Sequence, residues 1–287
     1  MKLALLLVGL ALTVPRVAGQ KPGYTGTEGC NACHEDFGKA LLKTRHGLLN
    51  KDTSCESCHG PGAKHAEAAE AKFILNHAKA KPKEADASCL SCHKNQSTHA
   101  GRISGSHARG DVACVSCHSI HAAPKAKTAN DLCKTCHLDS WAQFQKPHAH
   151  QLNQGVISCT DCHNPHGTNR SAAFKATART HNNEPGCLKC HADKRGPFAF
   201  EHAPVRLEGC QSCHEPHGSA NPRMLNRAEI ANHCLECHSN LPARTNSTGT
   251  LGTIATSFHD LRLPVYRNCT TCHVKIHGSH ANRDFLR

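Results

Sequence analysis

Every cysteine of the chain belongs to one repeated motif. The 287-residue sequence contains 20 cysteines and 26 histidines, and the cysteines form ten copies of Cys-x-x-Cys-His with none left over. The cysteine pairs are Cys30 and Cys33, Cys55 and Cys58, Cys89 and Cys92, Cys114 and Cys117, Cys133 and Cys136, Cys159 and Cys162, Cys187 and Cys190, Cys210 and Cys213, Cys234 and Cys237, and Cys269 and Cys272. The histidines that follow them are His34, His59, His93, His118, His137, His163, His191, His214, His238 and His273.

This motif is typical of covalent haem attachment. Two thiols three residues apart on one helical turn can add to the two vinyl groups of haem, and the adjacent histidine then reaches the iron. Disulfides of a secreted protein and zinc sites built from cysteine pairs need no histidine at that position, and a thioredoxin-like pair would occur only once or twice. The sequence therefore predicts ten haem c groups, with the motif histidines as proximal iron ligands.

The second axial ligand follows by elimination. Cytochromes usually use methionine or histidine there, and the chain has only Met1 and Met224. Sixteen histidines lie outside the motifs, so bis-histidine ligation is available for every iron, and it gives lower reduction potentials than ligation by methionine and histidine. Open coordination positions for a substrate are then not required, which argues against small-molecule catalysis.

The remaining histidines follow a pattern. A plain motif alternates with a motif that has one histidine shortly before it and one shortly after it, so the sequence divides into five two-haem modules. In CHSIH, CHNPH and CHEPH the later histidine is too close to the proximal one to reach the opposite face of the same haem, and we expect it to ligate a neighbouring haem. The predicted distal ligands are His46, His65, His107, His121, His150, His166, His202, His217, His259 and His277.

One position is ambiguous, because the segment PHAHQ offers both His148 and His150. The spacing to the following cysteine favours His150. Five further histidines are interpreted as surface groups or contacts to haem propionates, namely His77, His99, His181, His233 and His280.

The elements that carry these residues are expected to be short. Gly, Pro, Ser, Thr and Asn crowd the intervals between motifs, which predicts a multihaem cytochrome c fold that is mostly coil, with short α-helices at the motifs and almost no β structure. One longer helix is predicted from Ala63 to Lys81, ended by Pro82. Apolar residues make up only 38% and aromatic residues 4% of the chain, so bound cofactor is expected to supply missing core volume.

The N-terminus has the pattern of a secretory signal peptide over residues 1–19. Lys2 precedes an apolar run from Leu3 to Val14, and small residues follow it. A retained anchor is the alternative, but the run is shorter than the roughly 20 residues that span a bilayer. The mature protein is therefore expected to be exported.

The net charge of +12 would ordinarily favour nucleic acid or an anionic membrane as a partner. Ten haems bring about twenty propionates, which change this charge to about −8 when the irons are reduced. Many of the lysines and arginines are thus expected to pair with propionates. No nucleic-acid partner is predicted, since export and the lack of aromatic stacking platforms also argue against one.

Several segments together resemble the DmsE/MtrA-type decahaem c-type cytochrome family. They are the early CESCHGPGAKH, the repeated CH-x-PH and the terminal NCTTCHVKIHGSHANRDFLR, within ten motifs after a signal peptide. The resemblance covers essentially the whole mature chain. It implies an elongated haem wire of two pentahaem halves, residues 20–138 and 139–287, inserted from the periplasm into a large outer-membrane β-barrel porin.

The resemblance also implies the partners and the location. The protein would be periplasmic and associated with the outer membrane. A periplasmic or inner-membrane quinol-oxidising cytochrome would lie on one side, and an extracellular cytochrome or terminal reductase on the other. Outward flow would serve extracellular respiration and inward flow would serve oxidation of an external donor such as ferrous iron; both directions use the same wire.

Three classes of function stay open at this point. The favoured one is electron transfer across the outer membrane, without a substrate-transforming site. The second is a soluble periplasmic shuttle or a polymerising cytochrome filament. The third is a multihaem reductase, which would need a haem without its distal ligand and would give a high-spin ferric signal.

Overall fold

A computed structural model describes residues 22–48, 55–96, 99, 105–121, 125–167, 186–238, 259, 261 and 263–286. All ten motifs and all ten predicted distal histidines lie within these residues, whereas the predicted signal peptide and His181 lie outside them. None of the 20 cysteines forms a disulfide.

The described chain is mostly coil interrupted by short helices. The α-helices are α1 (Gly26–Leu42), α2 (Glu56–His59), α3 (Ala63–Ala68), α4 (Pro82–His93), α5 (Ser106–Arg109), α6 (Cys114–Cys117), α7 (Ala129–Cys133), α8 (Leu138–Gln143), α9 (Cys159–Cys162), α10 (Ala203–Leu207), α11 (Ile230–Leu235) and α12 (Pro264–Arg267). Single turns of 3₁₀ helix cover Arg45–Leu48, Ala71–Phe73, Gly186–Lys189, Ala192–Lys194, Cys210–Ser212, Pro222–Met224 and Cys269–Thr271.

Extended pairing is limited to isolated bridges. In the described residues these join His148 to Ser219, Phe200 to Ser279, and His214 to Leu225. The predicted fold class is confirmed. Among the same residues, no helix combines the length and the hydropathy required to cross a membrane.

Each motif forms one closed helical turn. In eight motifs the backbone N–H of the histidine donates to the carbonyl of the first cysteine at 2.8–3.1 Å, as His59 does to Cys55 and His238 to Cys234. The motifs at Cys30 and Cys89 lie inside the longer helices α1 and α4. A single turn brings both cysteines and the histidine to neighbouring positions, because residues three and four apart share a helix face.

The paired motifs of a module are in direct contact. Before haem is attached, a hydrogen bond from the first cysteine of the partner motif lowers the thiol pKa of Cys55, Cys210 and Cys269 to about 6. The first cysteines in contact are Cys30 with Cys55, Cys133 with Cys159, Cys187 with Cys210, and Cys234 with Cys269. The chain is thus built from repeated two-motif modules, as the alternation of motifs predicts.

In two modules a hydrogen bond also joins the two motifs of the module. The buried carboxylate of Asp86 accepts a hydrogen bond from the backbone N–H of Cys114 at 2.7 Å. In the next module the Asn130 side chain accepts one from the N–H of Cys159 at 2.9 Å. Both acceptors lie three residues before the first cysteine of the plain motif. The same position therefore accepts a hydrogen bond from the first cysteine of the partner motif in each case.

The described residues form two compact units. Residues 22–48, 55–96, 99, 106–121 and 125 form the first unit. Residues 105, 126–167, 186–238, 259, 261 and 263–286 form the second. The first unit contains four motifs, and the second contains the six from Cys133 onward. The two pentahaem halves divided at residue 138 stay a prediction.

The side-chain core is thin, as the composition predicts. The buried apolar residues among those described are Leu41, Ala85, Ala113, Leu152, Leu188 and Ala231. Large apolar side chains such as Leu48, Phe37 and Leu138 are exposed to 58–88%. Apolar surface of this extent matches a fold whose interior is completed by a bound apolar macrocycle.

The helix predicted from Ala63 to Lys81 is wrong beyond its first turns. Helix α3 ends at Ala68, and the following residue, Ala69, has a left-handed φ of 53°. Farther along, the carbonyl of Leu75 accepts a hydrogen bond from Nδ1 of His59 at 2.7 Å. Helix propensity of Ala, Glu and Lys is worth only tenths of a kcal/mol per residue, so this tertiary bond to a proximal histidine outweighs it.

Candidate haem-ligand sites

Eight of the ten proximal histidines have a predicted distal histidine opposite them. The ring planes of several pairs are nearly parallel. The pairs and the distances between their ring centroids are His34 and His65 (6.1 Å), His46 and His93 (6.1 Å), His59 and His121 (6.0 Å), His150 and His191 (6.2 Å), His163 and His217 (6.0 Å), His202 and His238 (6.4 Å), His214 and His277 (6.1 Å), and His259 and His273 (6.3 Å).

This spacing fits an iron between the two rings. A metal lies about 2 Å from an imidazole nitrogen and each nitrogen about 1.1 Å from its ring centre, so a shared metal sets the centroids about 6 Å apart. In the described part of the chain no cluster of three or more His, Cys, Asp or Glu side chains could hold a metal ion. Two protein ligands per iron are what haem requires, because the porphyrin supplies the other four nitrogens.

Most of these pairs connect different motifs. Seven of the eight join a proximal histidine to a histidine that flanks another motif; the pair of His259 and His273 is local. His217 follows the motif at Cys210 yet faces His163, as the short spacing in CHEPH predicts. The distal partners of His118 and His137 stay a prediction, as do the assignments of His107 and His166.

Hydrogen bonds orient several of these rings. Nδ1 of six histidines lies 2.5–3.1 Å from an oxygen that can only accept, so Nδ1 carries the proton and Nε2 keeps its lone pair. The contacts join His59 to the carbonyl of Leu75, His65 to that of Glu70, His150 to that of Pro216, His214 to that of Arg223, His273 to that of Asp284, and His217 to the side-chain oxygen of Gln143.

None of these acceptors was predicted from the sequence. Five of them are backbone carbonyls, which have no signature in a sequence, and Gln143 lies 74 positions from His217.

Burial keeps several of the candidate ligands neutral. Together with the positive charge of Lys194, it lowers the pKa of His277 to about 4. Burial likewise lowers the pKa of His121, His163, His202 and His217. A neutral imidazole is the form that binds a metal.

The geometry separates the two histidines of the PHAHQ segment. The ring of His150 faces His191 at 6.2 Å, and its Nδ1 donates to the Pro216 carbonyl at 2.7 Å. The backbone of His148 instead forms an isolated bridge with Ser219.

The histidines interpreted as non-ligands have varied surroundings. Nε2 of His77 lies 2.6 Å from the Ser88 hydroxyl, and Nε2 of His233 accepts the backbone N–H of Arg227 at 3.2 Å. These contacts occupy the nitrogen that would ligate iron. The ring of His99 lies 6.0 Å from that of His93, so His99 competes with His46 as the distal ligand opposite His93. His280 packs on the ring of Phe198.

Comparison with known families agrees with this arrangement. A model of the doubled CXXCH motif matches residues 150–196 and 202–243, and a model of cytochrome c554 and c-prime matches residues 62–119. The motifs, the opposed histidines and these matches define the class of the protein. It is a multihaem c-type cytochrome, and it binds haem c.

Individual relatives narrow this class. The chain is 34% identical over 272 residues to the multiheme cytochrome MtrA of Shewanella baltica (strain OS185), covering 88% of this chain and 78% of the relative. It therefore belongs to the MtrA family of multihaem cytochromes, which confirms the resemblance found in the sequence.

More distant similarities reach other cytochromes. The high-molecular-weight cytochrome c of Nitratidesulfovibrio vulgaris is 22% identical over 298 residues, covering 88% of this chain and 51% of that protein. The cytochrome c-type protein NrfB of Escherichia coli O6:H1 is 27% identical over 123 residues, covering 38% of this chain and 64% of NrfB.

Proposed function

We propose that this protein carries electrons through ten bis-histidine haems between periplasmic and extracellular partners across the outer membrane. Bound haem supplies one-electron exchange between ferric and ferrous iron. The two cysteines of each motif would hold the cofactor through thioethers, and the motif and distal histidines would bind its iron, which would leave no position for a substrate. The protein acts as an electron-transfer protein and not as an enzyme.

The observation that carries the proposal is the set of eight opposed histidine pairs at 6.0–6.4 Å. The ligands of the haem irons would be the ten motif histidines on one side and the predicted distal histidines on the other. In seven of these pairs the distal histidine flanks another motif, so it would tie its haem to the peptide of that motif. This arrangement favours short separations between consecutive haems, which electron transfer requires.

Membership of the MtrA family supports the proposed location and partners. The predicted signal peptide would deliver the chain to the periplasm, where it would associate with an outer-membrane porin. A quinol-oxidising cytochrome would exchange electrons at one end, and an extracellular cytochrome or terminal reductase at the other.

Fractionation of native cells tests the conduit. The cytochrome is expected in detergent-solubilised outer membrane, co-purifying with a porin large enough to admit it. Recovery solely as a free protein of the periplasmic fraction would contradict the conduit and favour the shuttle. A reference outer-membrane porin of the same cells, which has no cytochrome partner, controls for non-specific co-purification.

Spectroscopy of the purified holoprotein tests ligation separately. Intact mass should correspond to ten covalent haems, and the ferric protein should give low-spin signals only. A substantial high-spin fraction would indicate an iron without a distal ligand and would favour the reductase.

A further inference from the structure

One segment of the second unit occurs twice. We call its copies clasp A (His214–Leu225) and clasp B (His273–Leu286). Each begins at a proximal histidine and then contains the sequence His-Gly-Ser, whose histidine is a predicted distal ligand. This sequence lies in PHGSAN in clasp A and in IHGSHAN in clasp B. The two copies also form equivalent hydrogen bonds at Ser219 and Ser279, so they are structural as well as sequence repeats.

Each clasp pairs with the backbone just before another distal histidine. In clasp A the N–H of Ser219 donates to the carbonyl of His148 at 2.8 Å, and the reverse bond measures 3.2 Å. In clasp B the N–H of Ser279 donates to the carbonyl of Phe200 at 2.9 Å, and the reverse bond measures 2.8 Å. The paired residues lie two positions before His150 and His202, respectively. Each bridge thus connects two distal histidines of different motifs.

The serine side chains lock the turn that follows. Ser219 and Ser279 are both 4% exposed. The hydroxyl of Ser219 accepts the N–H of Asn221 at 3.0 Å, and that of Ser279 accepts the N–H of Ala281 at 3.2 Å. The same buried hydroxyl contact therefore occurs in both clasps.

In both copies a glycine is required where the clasp lies close to the segment with which it pairs. Gly218 and Gly278 have φ of +141° and +140°, a region that side chains rarely adopt. A Cβ at Gly218 would lie 2.5 Å from the carbonyl oxygen of Gln143 and 2.8 Å from Cβ of Ala149. A Cβ at Gly278 would lie 2.1 Å from the ring of Phe198. An added methyl group would push each clasp away from the segment with which it pairs.

The clasps also bind imidazole rings through their carbonyls. Nδ1 of His150 donates to the carbonyl of Pro216 at 2.7 Å, and the backbone of Ile276, at the equivalent position of clasp B, interacts with the ring of His202. Pro216 and Ile276 directly precede the distal histidines of their clasps, His217 and His277. The residue whose backbone contacts one distal histidine is thus directly followed in the chain by another distal histidine.

The proximal histidine at the start of each clasp is held in the same way. Nδ1 of His214 donates to the carbonyl of Arg223 at 2.9 Å, and Nδ1 of His273 donates to that of Asp284 at 2.5 Å. The residue after each acceptor has a left-handed backbone, with φ of 55° at Met224 and 57° at Phe285. Each clasp therefore contacts three histidines that face three different partners.

We propose that each clasp is a positioning device that fixes axial histidines of three consecutive haems at once. Clasp A would hold His217, His150 and His214, which serve the motifs at Cys159, Cys187 and Cys210. Clasp B would hold His277, His202 and His273, which serve the motifs at Cys210, Cys234 and Cys269. The haem at Cys210 would be held from both sides, so the two clasps would connect the last five haems. This inference rests on the proposed axial ligation.

Substituting the clasp glycines tests the proposal. Gly218 lies at the bridge between His217 and His150, so in Gly218→Ala we expect the low-spin electron paramagnetic resonance signals of their two irons, at Cys159 and Cys187, to change together; His214 is held separately by the carbonyl of Arg223 and should keep its signal. In Gly278→Ala we expect the irons at Cys210 and Cys234 to change together, while His273, held by the carbonyl of Asp284, should keep its signal. Covalent haem content should stay at ten, since attachment depends on the motif cysteines.

Gly155→Ala is the matched control. Gly155 also has a positive φ, +73°, but a Cβ there would meet nothing within 4 Å. It therefore introduces backbone strain in the same unit without displacing a clasp, and all ten signals should keep their wild-type values. If a glycine variant fails to mature, Ser219→Ala and Ser279→Ala test the same pairs of irons with smaller expected changes.

Two histidine variants separate the failure of this inference from that of the proposed function. His217→Ala and His150→Ala should each convert one iron to high spin. If both leave every iron low-spin, the axial assignment itself is overturned. If each yields one high-spin iron while the glycine and serine variants change no signals, or change a single iron each, the clasps are overturned and the ligation stands.

Discussion

At the scale of single residues, hydrogen bonding at Nδ1 decides which nitrogen of a histidine is left for iron. The carbonyl of Pro216 accepts from Nδ1 of His150, and that of Leu75 accepts from Nδ1 of His59, so Nε2 keeps its lone pair in both. Nε2 of His77, by contrast, is already occupied by the Ser88 hydroxyl. Such contacts also raise the basicity of a ligating imidazole, which favours ferric iron.

Replacement of the two histidines in the PHAHQ segment should have different effects. His150→Ala removes the ring that faces His191, so we expect one high-spin iron and a raised reduction potential at that centre. His148→Ala retains the backbone bridge to Ser219 and should leave every iron low-spin. Ferric spectra and potentiometric titration measure both effects. The reverse pattern would assign the ligand to His148.

The angle between opposed rings should be visible in spectra. Five pairs have interplanar angles of 14–27°, and three have angles of 49–63°. Parallel imidazoles split the iron d orbitals more strongly than crossed ones, so we expect a majority of rhombic low-spin signals and a minority with a larger maximum g value. A ferric spectrum with one uniform signal would contradict the two groups of angles.

At the scale of elements, the two-motif module is the repeating unit, and in two modules a polar side chain of one motif's helix accepts a hydrogen bond from the backbone of the other motif. Asp86 in α4 accepts from the first residue of α6, and Asn130 in α7 accepts from the first residue of α9. Each acceptor satisfies an N–H at the start of a helix of only one turn, where no intrahelical partner exists. The thin apolar core makes such bonds more important to the fold.

Removing this acceptor should destabilise the first unit. A hydrogen bond to a charged group contributes about 1.5–3 kcal/mol, so Asp86→Ala should lower the free energy of unfolding by about 2 kcal/mol. Asp86→Asn keeps an acceptor and should recover most of that loss, because Asn130 has the equivalent role. The exposed Asp36→Ala is the control and should change stability by less than about 0.5 kcal/mol. Denaturant unfolding of the holoprotein measures all three; equal losses for Asp86→Ala and Asp36→Ala would contradict the role of Asp86.

At the scale of the whole molecule, the propionates of ten haems would decide the sign of the net charge. The polypeptide has a net charge of +12 and a pI near 8.9. Ten haems would bring about twenty propionates, which would reverse that excess when the irons are reduced, and each ferric bis-histidine centre would restore about one positive charge. The surface that a partner meets therefore depends on the redox state.

Isoelectric focusing tests this charge balance. We expect both redox forms of the native holoprotein to focus below pH 8.9, and the reduced form to focus at a more acidic pH than the oxidised form. The haem-free polypeptide, focused in denaturant, is the control and should stay near 8.9. Identical positions for the two redox forms would contradict the predicted change of about ten charges.

The amino-acid sequence alone determined the cofactor class and the modular repeat, and it predicted the attachment residues and the proximal histidines. These properties are local, because one helical turn places two thiols and a histidine together wherever the motif occurs. The distal set was also predicted as candidates, since flanking histidines can be counted. The long helix from Ala63 to Lys81 was not predicted correctly, because its propensity is overridden by tertiary hydrogen bonds.

Only the tertiary structure decided which histidine faces which, as His121 does His59 and His217 does His163. Such pairs join residues from distant parts of the chain, so their identity depends on the path of the coil between motifs and not on any spacing rule. The acceptor carbonyls and the duplicated clasps belong to the same class of property. Backbone groups are identical in every residue, and only folding selects the few that meet an imidazole.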